Sequence, residues 1–78
     1  MKLSELKKYE KATVVQVDLE QETVTQRLAD LGLQSGLEVT CLIGCPWGGV
    51  GSFQLTNGIF ALEDWICQKI EVKKVEQI

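Results

Sequence analysis

The sequence predicts a mainly β fold: five short strands curled into a small, partly open barrel, with one short helix after the first strand. Three observations lead there. Leu37, Val39, Cys41 and Ile43 alternate with Glu38, Thr40, Leu42 and Gly44, the period of two that buries one face of a strand. Asn57-Gly58 lies between apolar-rich flanks, a signal for a two-residue type I′ hairpin because both residues tolerate positive φ. Thr23-Val24-Thr25-Gln26 has the hydroxyl and amide spacing of a helix capping box.

The elements follow in chain order. Lys11 to Leu19 reads as a first strand in which Ala12 and Val14 share one parity and Val15, Val17 and Leu19 the other. A bulge near Val15 or Gln16 reconciles the two sets. The helix is predicted over Val24 to Leu31, with Val24, Leu28 and Leu31 on one face and Gly32 as its left-handed terminator. Under three turns long, it is stable only when docked. The strand of Leu37 to Ile43 ends in the glycine-rich stretch Gly44-Cys45-Pro46-Trp47-Gly48-Gly49-Val50-Gly51. A turn at Asn57-Gly58 sets Thr56 opposite Ile59, Leu55 opposite Phe60, Gln54 opposite Ala61 and Phe53 opposite Leu62. Phe53, Leu55, Phe60 and Leu62 then form one apolar face. A helical turn near Asp64 to Cys67 leads to a last strand, Lys69 to Val75, with Ile70 and Val72 inward. Curling five strands into a barrel reduces the exposed-edge problem.

At 78 residues the chain is one domain, residues 1–78, with a thin core and little room for a deep enclosed site. Eight basic residues against eleven acidic ones give a net charge of −3. The electrostatic footprint of a nucleic-acid binder is missing, and an anionic membrane is disfavoured likewise. No segment approaches the roughly 20 apolar residues that span a bilayer. The N-terminus lacks the apolar run of a signal peptide. Three cysteines form no disulfide framework, so a cytoplasmic location is expected.

Candidate chemistry is sparse. The chain has no histidine, the commonest general base and metal ligand. The glycine-rich loop lacks the Gly-Lys-Ser/Thr ending of a phosphate-binding loop and runs into a strand rather than a helix, so it reads as a turn. Cys41, Cys45 and Cys67 fall short of the four ligands of a structural zinc site. Cys41 lies at an inward parity, where a thiol acts as a small hydrophobe. Glu63 and Asp64 read as capping and solvated carboxylates. No catalytic residue, cofactor or resident metal is expected. Trp47 is either an interface anchor or a cover over the barrel mouth, and Trp65 is predicted to lid the core.

The pattern as a whole resembles the FeoA family, the small proteins called ferrous iron transport protein A. The residues that carry it are Leu3 to Leu6; Ala12, Val14 and Val17; the block Arg27-Leu28-Ala29-Asp30-Leu31-Gly32-Leu33; Ser35-Gly36-Leu37-Glu38-Val39; the Pro46-Trp47-Gly48-Gly49 loop; Ala61-Leu62; and Ile70-Glu71-Val72. The resemblance implies an SH3-like barrel. It also implies action beside FeoB, the membrane ferrous-iron transporter with a cytosolic GTPase domain. The family often has Gly at the place of Glu10, Arg at that of Glu63 and Ala at that of Cys67, and the last exchange implies a buried position. The expected function is a non-enzymatic accessory docking on the FeoB GTPase domain, with Trp47, Pro46, Gly48 and Gly49 as anchor loop and Arg27 and Asp30 as polar rim. The alternatives are a transition-metal or iron-delivery protein using Cys41 and Cys45, and an RNA-binding barrel, which the acidic balance disfavours.

Overall fold

The computed structural model describes residues 1–45 and 48–75. Five antiparallel strands, β1 (Lys11–Val17), β2 (Glu38–Ile43), β3 (Val50–Leu55), β4 (Gly58–Glu63) and β5 (Ile70–Lys74), form one sheet in the order β4-β3-β2-β1-β5. Helix α1 (Glu22–Asp30) joins β1 to β2, and the single turn α2 (Asp64–Cys67) joins β4 to β5. A 3₁₀ turn at Leu3–Glu5 precedes β1.

Two bulges bend this sheet. The pairing of β1 with β5 shifts between Val14 and Gln16, where the parity change in the sequence requires an extra residue. Ala12 and Val14 are buried before the bulge, and Val15 turns out to solvent. A second shift lies between Cys41 and Ile43, and it overturns one expectation. Val39 and Cys41 point into the core as predicted, but Leu42 is the extra residue, so Ile43 pairs with Ser52 on the outer face and is exposed.

Helix α1 starts two residues before its predicted first residue. Gln21 is its N-cap, with no side-chain cap, and Thr23 lies inside the helix rather than at its start. Thr25 Oγ1 instead donates back to the Gln21 carbonyl at 3.2 Å. The C-terminus is as expected: Gly32 has φ +99°, its N–H reaches Ala29 O at 2.9 Å, and Leu33 N–H reaches Leu28 O at 2.8 Å. These paired bonds are the Schellman closure, and Leu33 follows it into the core.

The β3–β4 hairpin keeps its predicted apolar face but not its register. Leu55 pairs with Gly58, Phe53 with Phe60 and Gly51 with Leu62. The two turn residues are therefore Thr56 and Asn57, and neither has positive φ. The cause lies outside the hairpin. Asn57 Nδ2 donates to the Asp30 carbonyl at 2.7 Å, and Thr56 packs on Gly32 so closely that a Cβ there would lie 2.8 Å from Thr56 Cβ. Docking onto the end of α1 thus outweighs the local type I′ preference of Asn-Gly. Because the register moved by two, the alternation survived, and Phe53, Leu55 and Leu62 are buried with Phe60 packed beside them.

The core lies on one face of the sheet and is closed by Leu3 of the 3₁₀ turn, Leu6 just after it, Leu28 of α1 and Cys67 of α2. Phe53 is its largest wholly buried side chain. Each such side chain contributes about 1.5–3 kcal/mol. No polar side chain is buried among the described residues. None of their helices is long and apolar enough to cross a membrane.

Candidate docking face

Of the predicted anchor loop, Pro46 and Trp47 lie outside the described residues. Gly48 and Gly49 are exposed, and the Gly49 carbonyl accepts from Asp64 N–H at 2.9 Å. That bond seats the loop on the start of α2. The loop's base carries two exposed aliphatic residues, Ile43 and Val50. Ile43 is opposite Ser52, so Ile43 and Val50 are diagonal neighbours on one face of the sheet.

The face continues through the register. Val50 pairs with Glu63, and Glu63 Oε2 accepts from Trp65 Nε1 at 2.7 Å. Trp65 does not lid the core, contrary to expectation; it is 51% exposed. A four-residue helix has one inward position, and Cys67 takes it with zero exposure. The indole instead walls a groove of about 310 Å³ whose other sides are Asp18, Leu19, Glu20, Gln21, Val24 and Lys69. Ile43, Val50 and Trp65 thus form a discontinuous apolar path from the glycine loop to the groove. The sequence offered one clue to it, an aromatic two residues before a thiol in a very short helical turn.

Arg27 and Asp30 are both exposed on α1. Arg27 is one turn beyond Val24, a residue of the groove wall, on the same side of the helix. Asp30 lies elsewhere. Its carboxylate accepts from Gln26 Nε2 at 3.1 Å and its carbonyl from Asn57. Asn57 is in the β3–β4 turn and Gly49 is beside the opposite end of the same hairpin, more than the length of β3 away.

The cysteines are arranged differently from the Cys41–Cys45 pairing considered for metal. Cys41 is wholly buried, with its Sγ donating to Leu6 O at 3.6 Å. Burial pushes its thiol pKa up. Cys45 lies beside Cys67 instead, Sγ to Sγ 3.8 Å. Burial, then the neighbouring Cys45, pushes the Cys67 thiol far above its ordinary value. Among the described residues no group of three or more His, Cys, Asp or Glu is placed to hold a metal ion. Glu10 pairs with Lys74, and Cys67 is buried, as the resemblance implies.

Known proteins give the same architecture. A family model described as the FeoA domain matches residues 1–74. The solution structure of FeoA protein from Chlorobium tepidum superposes with a TM-score of 0.87 at 30% identity, over 97% of this chain and 71% of that one. A zinc complex of FeoA from Stenotrophomonas maltophilia, described as a prokaryotic SH3 domain protein, matches at 30% identity with a TM-score of 0.76, over 94% of this chain and 89% of that one. A manganese-dependent transcriptional repressor shares the fold at 16% identity and a TM-score of 0.84, over 96% of this chain and 41% of that one. No curated protein sequence matches this chain.

Proposed function

Because the chain belongs to the FeoA family, with its SH3-like fold and its role in ferrous iron transport, we propose that it is a non-enzymatic cytoplasmic accessory that docks on the cytosolic GTPase domain of FeoB and modulates iron uptake. The family match over residues 1–74 carries this reading. The surface supports it: a half-exposed tryptophan beside a groove, two exposed aliphatics, and the exposed Gly48 and Gly49. Aromatic anchors of this kind concentrate interface energy. In this reading Trp65, Ile43 and Val50 make the apolar centre. Gly48 and Gly49 lie beside it, Pro46 and Trp47, which precede them in the sequence, join them as anchor residues, and Arg27 forms the polar rim.

An NMR titration of isotope-labelled protein with the FeoB GTPase domain tests the proposal. Shifts are expected at Ile43, Gly48 to Val50 and Trp65, with Asp30 and Asn57 unmoved. Absence of saturable shifts anywhere would end the FeoB reading. Saturable shifts centred on Asp30 and Asn57 would keep the partner and discard the surface.

A further inference from the structure

Two of the three thiols meet at the base of the glycine loop, and nothing in the docking reading uses them. Cys45 lies two residues beyond the end of β2, and Cys67 ends α2. Their sulfurs are 3.8 Å apart, and both are free. Gly51 makes the room: a Cβ there would lie 2.6 Å from Cys45 Sγ and 2.7 Å from Phe53 Cε2. The absence of that methyl group leaves a slot in which the Cys45 sulfur rests over the core edge, facing Cys67.

We propose that Cys45 and Cys67 are a modification site, an oxidisable dithiol that a peroxide converts to an intramolecular disulfide. The sulfurs must close from 3.8 Å to about 2.05 Å. Cys45 lies beyond the β2 ladder, so rotation of its side chain and a small loop movement supply the approach. Cys41 takes no part, since its thiol is held in the core against the Leu6 carbonyl.

The difference in exposure sets the order of events. Cys45 is partly accessible and Cys67 is not. The Cys45 thiol gives up its proton and its sulfur attacks one peroxide oxygen. The O–O bond breaks, the second oxygen leaves as water with that proton, and Cys45 becomes a sulfenic acid. The Cys67 sulfur then displaces hydroxide from Cys45 Sγ, and the Cys67 proton completes a second water. Two thiols lose two electrons and two protons, and one hydrogen peroxide becomes two waters. The product ties Cys45, at the base of the glycine loop, to the end of α2, the helical turn that carries Trp65.

The reduced 78-residue chain, treated with one equivalent of hydrogen peroxide and then alkylated, tests this. Peptide mapping should show the loss of two hydrogens and a Cys45–Cys67 cross-link. Cys41 should be alkylated only after unfolding, and dithiothreitol should restore the starting mass. Cys45→Ser, which leaves the buried Cys67 in place, should abolish the cross-link and form no disulfide between chains under the same treatment. A cross-link containing Cys41, one formed only between chains, or a Cys45 that goes to sulfinic acid without linking would overturn the proposal.

Discussion

At the scale of single residues, two glycines with the same backbone problem have different surroundings. Gly32 and Gly36 have φ of +99° and +91°, but a Cβ on Gly36 meets nothing within 4 Å while one on Gly32 strikes Thr56. Gly36→Ala is expected to cost about 1 kcal/mol, the left-handed penalty alone. Gly32→Ala should cost about 3 kcal/mol, because overpacking adds to it. Urea denaturation of both variants checks the comparison, and equal costs would mean that the helix-to-hairpin contact carries no strain. Glu10 offers a pH test. A hydrogen bond from Lys74, then one from the Lys7 backbone, holds its carboxyl below the ordinary 4.5. A lowered carboxylate pKa contributes stability that is present above the unfolded value and is lost as pH falls through the folded one. Lys74→Met should therefore raise the Glu10 pKa toward 4.5 in an NMR titration and make acid destabilisation below that pH shallower. The sequence showed Gly32 as a helix terminator and Cys67 as buried. It could not show the Lys74 partner of Glu10, because that pair joins opposite ends of the sequence.

At the scale of elements, alternation and turn chemistry located all five strands, the bulge in β1 and the apolar face of the hairpin. Local signals failed where a tertiary contact competed with them. The capping box at Thr23 lost to a start at Gln21. The Asn57-Gly58 turn lost to a Thr56–Asn57 turn that reaches the end of α1. Ile43 faces outward because of a bulge with no sequence mark. Asn57→Ala isolates the hairpin-to-helix contact. With φ at that residue already negative, the variant loses the bond to Asp30 and little else, a cost of about 1 kcal/mol. Amide exchange should quicken in the last turn of α1 while the β3–β4 ladder keeps its protection. Faster exchange in the ladder itself would place the stabilising role of Asn57 in the turn.

At the scale of the whole molecule, the anchor loop, the helix rim and Trp65 were each visible as sequence features, but their arrangement was not. The loop and Trp65 come together because β3, β4 and α2 are consecutive, whereas Asp30 belongs to the far end of the hairpin. Trp65→Ala should weaken binding to the FeoB GTPase domain at least fivefold. Thermal stability should change little, since half of the indole already faces water. Phe53→Ala is the contrasting case. Removing the largest wholly buried side chain costs about 3–5 kcal/mol, comparable to the whole stability of a small domain, and circular dichroism should show a largely unfolded chain at 37 °C. The pairing of β1 with β5 has a kinetic consequence. Val14 and Val72 are partners, so one edge of β1 has no neighbour until β5 has been synthesised. Such distant pairing makes a slow folder despite the small size, on the order of milliseconds to seconds. During synthesis that edge of β1 waits with its hydrogen-bonding groups unmatched, and the charged residues Lys11, Glu10 and Lys8 around its start help keep it from pairing with another nascent copy.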